Sequence, residues 1–373
     1  MELRVMFDGR EVGRMRYESK TAHFAYSRDW LNHGFAISPK SLPLEDRLFS
    51  GGPDIFNGLQ GVFADSLPGG WGMLTAIRAL REKGIDYLSL DPLEKLSYIG
   101  KDGIGALYYE PTNCDWNIPS DINPDQLCME CMALTEGENT DLDDLFMRAG
   151  STGGAKPKMN LEIDGESWIV KFRERYDPES AGRMEFEYNQ AAKKCGIDIP
   201  ECRLIDSELC DGFFASKRFD RVDGRRIHMI SLGGLLEIPR DMPILDYLTF
   251  LQATRFVTES QTEVVKAFRL ACFNVFAKNY DDHAGNFSFL YLEDEERYVL
   301  SPAYDLTRTP NMREHRMTCM GNPLPGEKEL FQLASRVDIP LSRAKEIVSQ
   351  IGETVRGELS EWLSARKASE KFY

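Results

Sequence analysis

The sequence lacks any run approaching the ~18 apolar residues of a membrane span, so no membrane-spanning helix is expected. Its first residues, Met1-Glu2-Leu3-Arg4-Val5, form neither a basic region nor an apolar one. No secretory signal is therefore expected, and the cytoplasm is the expected location. Positive charge is in deficit: 45 Lys and Arg stand against 60 Asp and Glu, for a formal net charge of -15 at pH 7. Such a chain is not expected to grip nucleic acid by itself, because backbone phosphates need a net basic face. A local basic patch, or a partner that supplies the DNA contact, is not excluded. A second pair of zinc ligands is also missing. Cys128 and Cys131 form a C-x-x-C, but Cys114, Cys195, Cys202 and Cys210 are scattered and His228 has no histidine partner. The cysteines thus read as small buried hydrophobes. Internal repeats and low-complexity tracts are absent.

What is present is ordinary globular composition, 42% hydrophobic and 28% charged over 373 residues. At roughly 100–200 residues per domain, two or three units are expected. Residues 1–110 read as a small α+β module. It opens with a hairpin (Leu3 to Phe7, the turn Asp8-Gly9, Glu11 to Met15), continues with a helix from Gly70 to Lys83 stopped by Gly84, and adds a helix near Asp91 to Tyr98 with Asp91 and Pro92 at its start. Gly103 to Tyr109 reads as its last strand. Residues 111–144 read as a surface connection carrying one helix with the C-x-x-C. Residues 145–244 read as a glycine-rich stretch, a second Asp-Gly hairpin and a helix. Residues 245–373 are mostly helical, ending in an amphipathic pattern from Leu341 to Ala368.

The chemistry is carried by an ordered set of elements. Gly150-Ser151-Thr152-Gly153-Gly154-Ala155-Lys156-Pro157-Lys158 is glycine-rich but lacks the Walker A spacing. It reads either as a surface loop or as a phosphate cradle. Met159 to Ile163 and Ser167 to Phe172 form strands about Asp164-Gly165, placing Lys171 within Trp168-Ile169-Val170-Lys171-Phe172. That lysine either faces water from an edge strand or is held over the phosphates of ATP. In the helix Arg183 to Cys195, closed by Gly196, Glu185 or Glu187 could pair with it, and Glu185 is preferred; the other reading is a solvated acidic face.

An apolar helix, Val264 to Ala277, then leads into Asn279-Tyr280-Asp281-Asp282-His283-Ala284-Gly285-Asn286. A strand (Phe287 to Leu292), a charged turn (Glu293 to Arg297) and a strand (Tyr298 to Leu300) lead to Tyr304-Asp305. Asp281 and Asn286 have the spacing of the kinase catalytic loop, and Asp305 stands where the metal-binding aspartate follows the hairpin. An aspartate can orient a hydroxyl and accept its proton. Magnesium favours oxygen ligands such as Asn286 and Asp305. His283 is read as shaping the loop by a hydrogen bond, and Asp282 as solvated or supporting the loop from behind.

At these residues the sequence resembles the HipA family, the toxin kinases of bacterial toxin–antitoxin pairs. Ser41-Leu42-Pro43-Leu44, Phe63-Ala64-Asp65-Ser66-Leu67-Pro68 and Ile99-Gly100-Lys101-Asp102-Gly103-Ile104-Gly105-Ala106 are similar to its N-terminal subdomain. Ser151 to Lys158 resembles its glycine loop, Lys217-Arg218-Phe219-Asp220-Arg221 its hinge, and Asn279 to Asn286 with Tyr304-Asp305 its catalytic and metal-binding segments. The resemblance implies an α+β, protein-kinase-like fold with an N-terminal α/β part, a mostly helical C-terminal domain, and a cleft for ATP. It implies Asp281 as the catalytic position, and Asn286 and Asp305 on Mg2+. ATP contacts would come from Ser151, Thr152, Gly153, Gly154, Ala155, Lys171, Glu185 and His283, with adenine contacts from the backbone near Lys217 and Phe219. It further implies self-inactivating phosphorylation of Ser151, with Thr152 as a second position. The implied partners are a HipB-like helix-turn-helix antitoxin, which alone contacts DNA, and a protein substrate such as an aminoacyl-tRNA synthetase. The chain is somewhat short for the family, and Lys217 stands where an acidic residue is often found. Two other functions stay open at this stage: a phosphatidylinositol- or small-molecule kinase, since Asp281-x-His283-x-x-Asn286 also resembles that loop, and an inactive kinase fold that binds nucleotide as a regulator.

Overall fold

The computed structural model describes residues 1–100, 103–113, 123–138, 141–151, 153–240, 242 and 245–364. The chain divides into two compact units: Met1–Glu179 with Ile205–Pro239, and Ser180–Leu204 with Arg240–Tyr373.

The first unit begins with an antiparallel five-stranded sheet in the spatial order Phe49–Ser50, Thr21–Tyr26, Arg10–Glu18, Glu2–Phe7, Leu107–Glu110. Alternation makes it one-faced: Leu3, Val5, Val12, Ala22 and Phe24 are fully buried, with charged residues between them. The sequence reading of a strand from Gly103 is corrected here, since the strand starts at Leu107. The backbone of the preceding glycines is engaged elsewhere. Arg218 and Arg221 donate to Gly103 O at 2.9 and 2.6 Å, and Gly105 N donates to Asp220 Oδ2 at 2.7 Å. Buried Asp220, flanked by Arg218 and Arg221, is held well below the usual carboxylate range by their charge, against the opposing cost of its burial.

A second antiparallel run in this unit comprises Lys158–Ile163, Glu166–Lys171 and Phe213–Lys217. Its first turn needs two left-handed residues, and Asp164 and Gly165 supply φ of 55° and 76°. One face packs on a core built from Trp71 and Leu80 of helix Gly70–Glu82, Leu127 and Cys131 of helix Pro124–Glu136, and Phe146 of helix Leu142–Ala149. The C-x-x-C helix is thus a core element rather than a surface connection. Burial pushes the Cys128 thiol up to about 11, and that of Cys131 well above its ordinary value. The helix Leu142–Ala149 was not expected from sequence.

His228 is fully buried beside Phe35, with Nε2 2.8 Å from Ile37 O. Burial pushes its pKa down to about 4. The unfolded chain, with an ordinary histidine near 6.5, binds the proton first as pH falls. Stability is therefore intact above about pH 6.5 and is lost between there and about pH 4, by about 3 kcal/mol in all. Urea unfolding across that window should show the slope, and His228→Gln should remove it.

The second unit is mainly helical: Ala181–Lys194, Tyr247–Thr258, Gln261–Ala277, Glu327–Arg336 and Leu341–Glu358. The hairpin Ser288–Leu292 with Arg297–Leu300 is its strand pair. The last long helix stops at Glu358, short of the expected Ala368; a separate turn, Ser360–Ser364, follows, and residues 365–368 lie outside the described residues. No helix among the described residues is long and apolar enough to cross a membrane.

Candidate functional site

The first unit carries the glycine loop. Helix Leu142–Ala149 ends at Gly150, whose φ of 53° turns the chain out of the helix. Ser151 follows and points inward, with only 1% of it exposed. Its Oγ accepts a 2.6 Å hydrogen bond from the backbone N–H of Ile104. Thr152 lies outside the described residues. Gly153 and Gly154 are half-buried and Ala155 is exposed. The carbonyl of Gly154 accepts from Trp71 N at 2.9 Å, so the start of helix Gly70–Glu82 holds the loop. Lys156 turns away, paired with Glu174 and Asp177.

The loop feeds directly into strand Lys158–Ile163, and there Lys158 stands opposite Lys171 in the antiparallel register. Cross-strand neighbours share a face, with Cβ atoms roughly 4.5–5.5 Å apart, where like charges repel. Lys158 is buried and its Nζ lies 2.8 Å from where a Cβ on Gly154 would sit, so this ammonium is under the loop. Lys171 Nζ is 5.7 Å from the centre of the Phe214 ring. Lys158 was quoted in the sequence motif but not assigned to the site. At the hinge-like stretch, Lys217 pairs with Glu166 at 2.9 Å, Arg218 N bonds Ser167 O, and Phe219 is half-buried.

The second unit carries the loop that links helix Gln261–Ala277 to strand Ser288–Leu292. Lys278 ends the helix with φ of 53°. The loop hangs on Asp282, which is fully buried rather than solvated. Its Oδ1 accepts from the backbone N–H groups of Arg316 and Met317 at 2.8 and 3.2 Å. Its Oδ2 accepts from Tyr247 OH and meets His315 Nδ1, each at 2.6 Å. The network extends further: Asn274 Nδ2 donates to Tyr247 OH and Asn279 Nδ2 to Asn274 Oδ1, each at 3.1 Å.

Around this anchor lie Asp281, His283 and Asn286 of the residues named from sequence, with Tyr304-Asp305 tied to the same loop. His283 Nδ1 accepts from Gly285 N at 3.1 Å and caps the short turn Ala284–Asn286. With Nδ1 accepting, the neutral ring carries its proton on Nε2. Burial lowers the His283 pKa; Arg240 and Arg316 add to this, while Asp281 and Asp305 oppose it. Asn286 Nδ2 donates to Asp281 O at 2.7 Å, which leaves its side-chain oxygen as an acceptor. Tyr304 OH donates to Gly285 O at 2.8 Å and meets Ser288 Oγ at 2.5 Å, and Asp305 follows with φ of 54°. The Asp281 carboxylate has Arg316 Nε 3.1 Å from Oδ1.

Of the acidic candidates on helix Ala181–Lys194, Glu187 is engaged by Arg183 and by Trp362 Nε1, at 3.3 and 2.6 Å. Glu185 is buried, at 8% exposure, and belongs to the second unit, whereas Lys171 belongs to the first. Sequence reasoning missed Tyr247, His315 and Arg316. Tyr247 and His315 lie 35 and 33 residues from Asp282, with no local pattern linking them.

These elements define an α+β protein of kinase-like fold. The chain belongs to the HipA family: residues 150–359 match the HipA-like C-terminal domain and residues 3–110 the HipA N-terminal domain. The solved structure of HipA from Shewanella oneidensis MR-1, in complex with HipB and its operator DNA, superposes with a TM-score of 0.71 at 18% identity, covering 99% of this chain and 93% of that one. The candidate kinase Y4dM of Sinorhizobium fredii is 28% identical over 229 residues, which is 55% of this chain and 54% of that protein. This chain thus matches about half the length of that relative.

Proposed function

We propose that the chain is an ATP- and magnesium-dependent serine/threonine protein kinase, a HipA-type toxin that also phosphorylates its own Ser151. The observation that carries this reading is the tie between Asn286 Nδ2 and Asp281 O. It holds the Asn286 carboxamide against the Asp281 backbone, and Asp281 and Asp305 both act on the charge of His283 between them in sequence. The donor set is all oxygen, as magnesium requires. Asn286 and Asp305 would hold the metal, which supplies neutralisation of phosphate charge when bound. Asp281 orients the acceptor hydroxyl and takes its proton. Lys158 and Lys171, sharing one face below the glycine loop, receive the phosphates of ATP. His283, neutral at pH 7, donates from Nε2.

Ser151 is the internal acceptor. Its hydroxyl is occupied by Ile104 N–H in the buried position. A phosphate adds about -1.5 to -2 charge and bulk that the buried position of Ser151 against Ile104 N–H cannot take, so modification would displace the loop from that position. The partner we propose is a HipB-like helix-turn-helix antitoxin, in keeping with the complex formed by Shewanella HipA. DNA would be contacted through that partner, since the chain carries a net charge of -15. The external substrate is a protein in the cytoplasm, and the family resemblance points to an aminoacyl-tRNA synthetase. Incubation with Mg2+ and ATP, followed by intact mass and peptide mapping, should add one phosphate on Ser151, and none in Asp281→Ala. Phosphate on neither Ser151 nor Thr152 would remove self-inactivation from the account.

The glycine loop gives an independent check. Gly70 has φ of +46°, and a Cβ on it would meet Gly154 O at 2.1 Å. Gly70→Ala must displace the loop, a strain of about 1–3 kcal/mol. Calorimetric titration should show ATP binding weakened about tenfold, the equivalent of about 1.4 kcal/mol.

A further inference from the structure

We infer that Arg316 is a positioning residue for Asp281: it shields one carboxylate oxygen and leaves the other turned out for the acceptor hydroxyl. The inference rests on the kinase reading above, in which Asp281 takes that proton. Arg316 Nε lies 3.1 Å from Asp281 Oδ1. That oxygen is itself out of solvent and has no hydrogen bond of good geometry. Yet the Asp281 side chain is 42% exposed, so its exposure falls on the remaining atoms, Oδ2 among them. The carboxylate is therefore presented on one edge only.

The guanidinium is placed by a rigid device rather than by chance contact of two surface chains. Exposed ion pairs are worth little when both partners are free to move. Here the backbone of Arg316 is fixed, because its N–H is shared between Asp282 Oδ1 at 2.8 Å and Tyr280 O at 3.0 Å. Asp282 is fully buried and also binds His315. Adjacent residues on one segment, Asp281 and Asp282, thus meet adjacent residues on another, His315 and Arg316. The buried pair of residues anchors, and the exposed pair faces the chemistry. A planar guanidinium set against Oδ1 covers that oxygen and pairs its charge at 3.1 Å, which a lysine ammonium on a flexible stem would do less well. Arg316 further bears on His283, whose pKa it helps to lower.

The test uses the full chain with Mg2+ and ATP, reading ADP formation and phosphoprotein against ATP concentration. Arg316→Ala should lower the rate at saturating ATP by about 10–100-fold, as expected for a catalytic group left loosely oriented. The ATP concentration giving half the maximal rate should change less than twofold. Arg316→Lys should recover part of the loss, and millimolar guanidinium should restore part of the Arg316→Ala rate, which a misfolded chain would not allow. Asp281→Ala and the double variant should be equally impaired, since Arg316 acts through Asp281. A native rate in Arg316→Ala, an absence of rescue by either route, or an additive double variant would overturn the inference. If Asp281→Ala keeps its activity, or the wild-type chain forms neither ADP nor phosphoprotein, the kinase reading fails first and the inference falls with it.

Discussion

Asp281→Ala is expected to lower phosphate transfer by about 10³-fold or more while ATP still binds, the range set by general-base loss together with loss of hydroxyl orientation. The expectation follows from how the residue is held. Asp281 is half-exposed, and among the described residues its side chain pairs with Arg316. Its structural role in the loop is played by its backbone carbonyl, which accepts from Asn286 Nδ2. Alanine keeps that carbonyl, so the loop and the position of the Asn286 carboxamide oxygen, which we propose for the metal, should survive. The loss should therefore appear in the rate at saturating ATP, with the nucleotide affinity measured by calorimetry changing little. Fluorescence or calorimetric melting should give the variant the wild-type transition temperature. Equal loss of ATP binding and of stability would mean that the side chain builds the loop instead of acting on the substrate.

The neighbouring position should behave in the opposite way. Asp282→Ala removes the acceptor for Tyr247 OH, His315 Nδ1 and the backbone N–H groups of Arg316 and Met317. All of these donors are buried with it or nearly so, and each buried group left unsatisfied costs about 1–3 kcal/mol. With partial relaxation, a net loss of about 3–5 kcal/mol in the stability of the second unit is expected, comparable to breaking a buried charged pair. Asp282→Asn keeps the shape and one acceptor oxygen, so about half that loss is expected. Urea unfolding of the two variants against wild type measures both. A stable Asp282→Ala variant would show that the loop is held by other contacts, and the basis for placing Arg316 would go with it.

The contrast between these two adjacent aspartates shows what the sequence can and cannot disclose. The loop from Asp281 to Asn286 and the hairpin that follows it were legible because they are local: Asn286 Nδ2 reaches back to Asp281 O, and the two strands pair directly. The first hairpin, the helix starting at Asp91-Pro92 and the Asp164-Gly165 turn were legible for the same reason: turn and capping chemistry acts within four residues. The anchoring of Asp282 was not, because its partners are 33 to 35 residues away and carry no pattern of their own. The strand wrongly extended back to Gly103 fails on the same ground. Arg218, Asp220 and Arg221, more than 100 residues later, capture the glycine backbone. The C-x-x-C helix was misjudged because Pro, Asn and Asp around it suggested surface, whereas its own apolar face is core. Family membership and fold were within reach because several ordered local motifs recur over the chain's length.

The most direct test of the central claim is transfer of labelled γ-phosphate from ATP to protein by the purified chain in Mg2+, with EDTA and Asp281→Ala as controls. Label is expected on the protein in Mg2+ alone, with ADP formed in step, and none in either control. Label that persists in EDTA or in Asp281→Ala would contradict it, as would ATP that binds yet is never turned over with the antitoxin absent and synthetases supplied as acceptors.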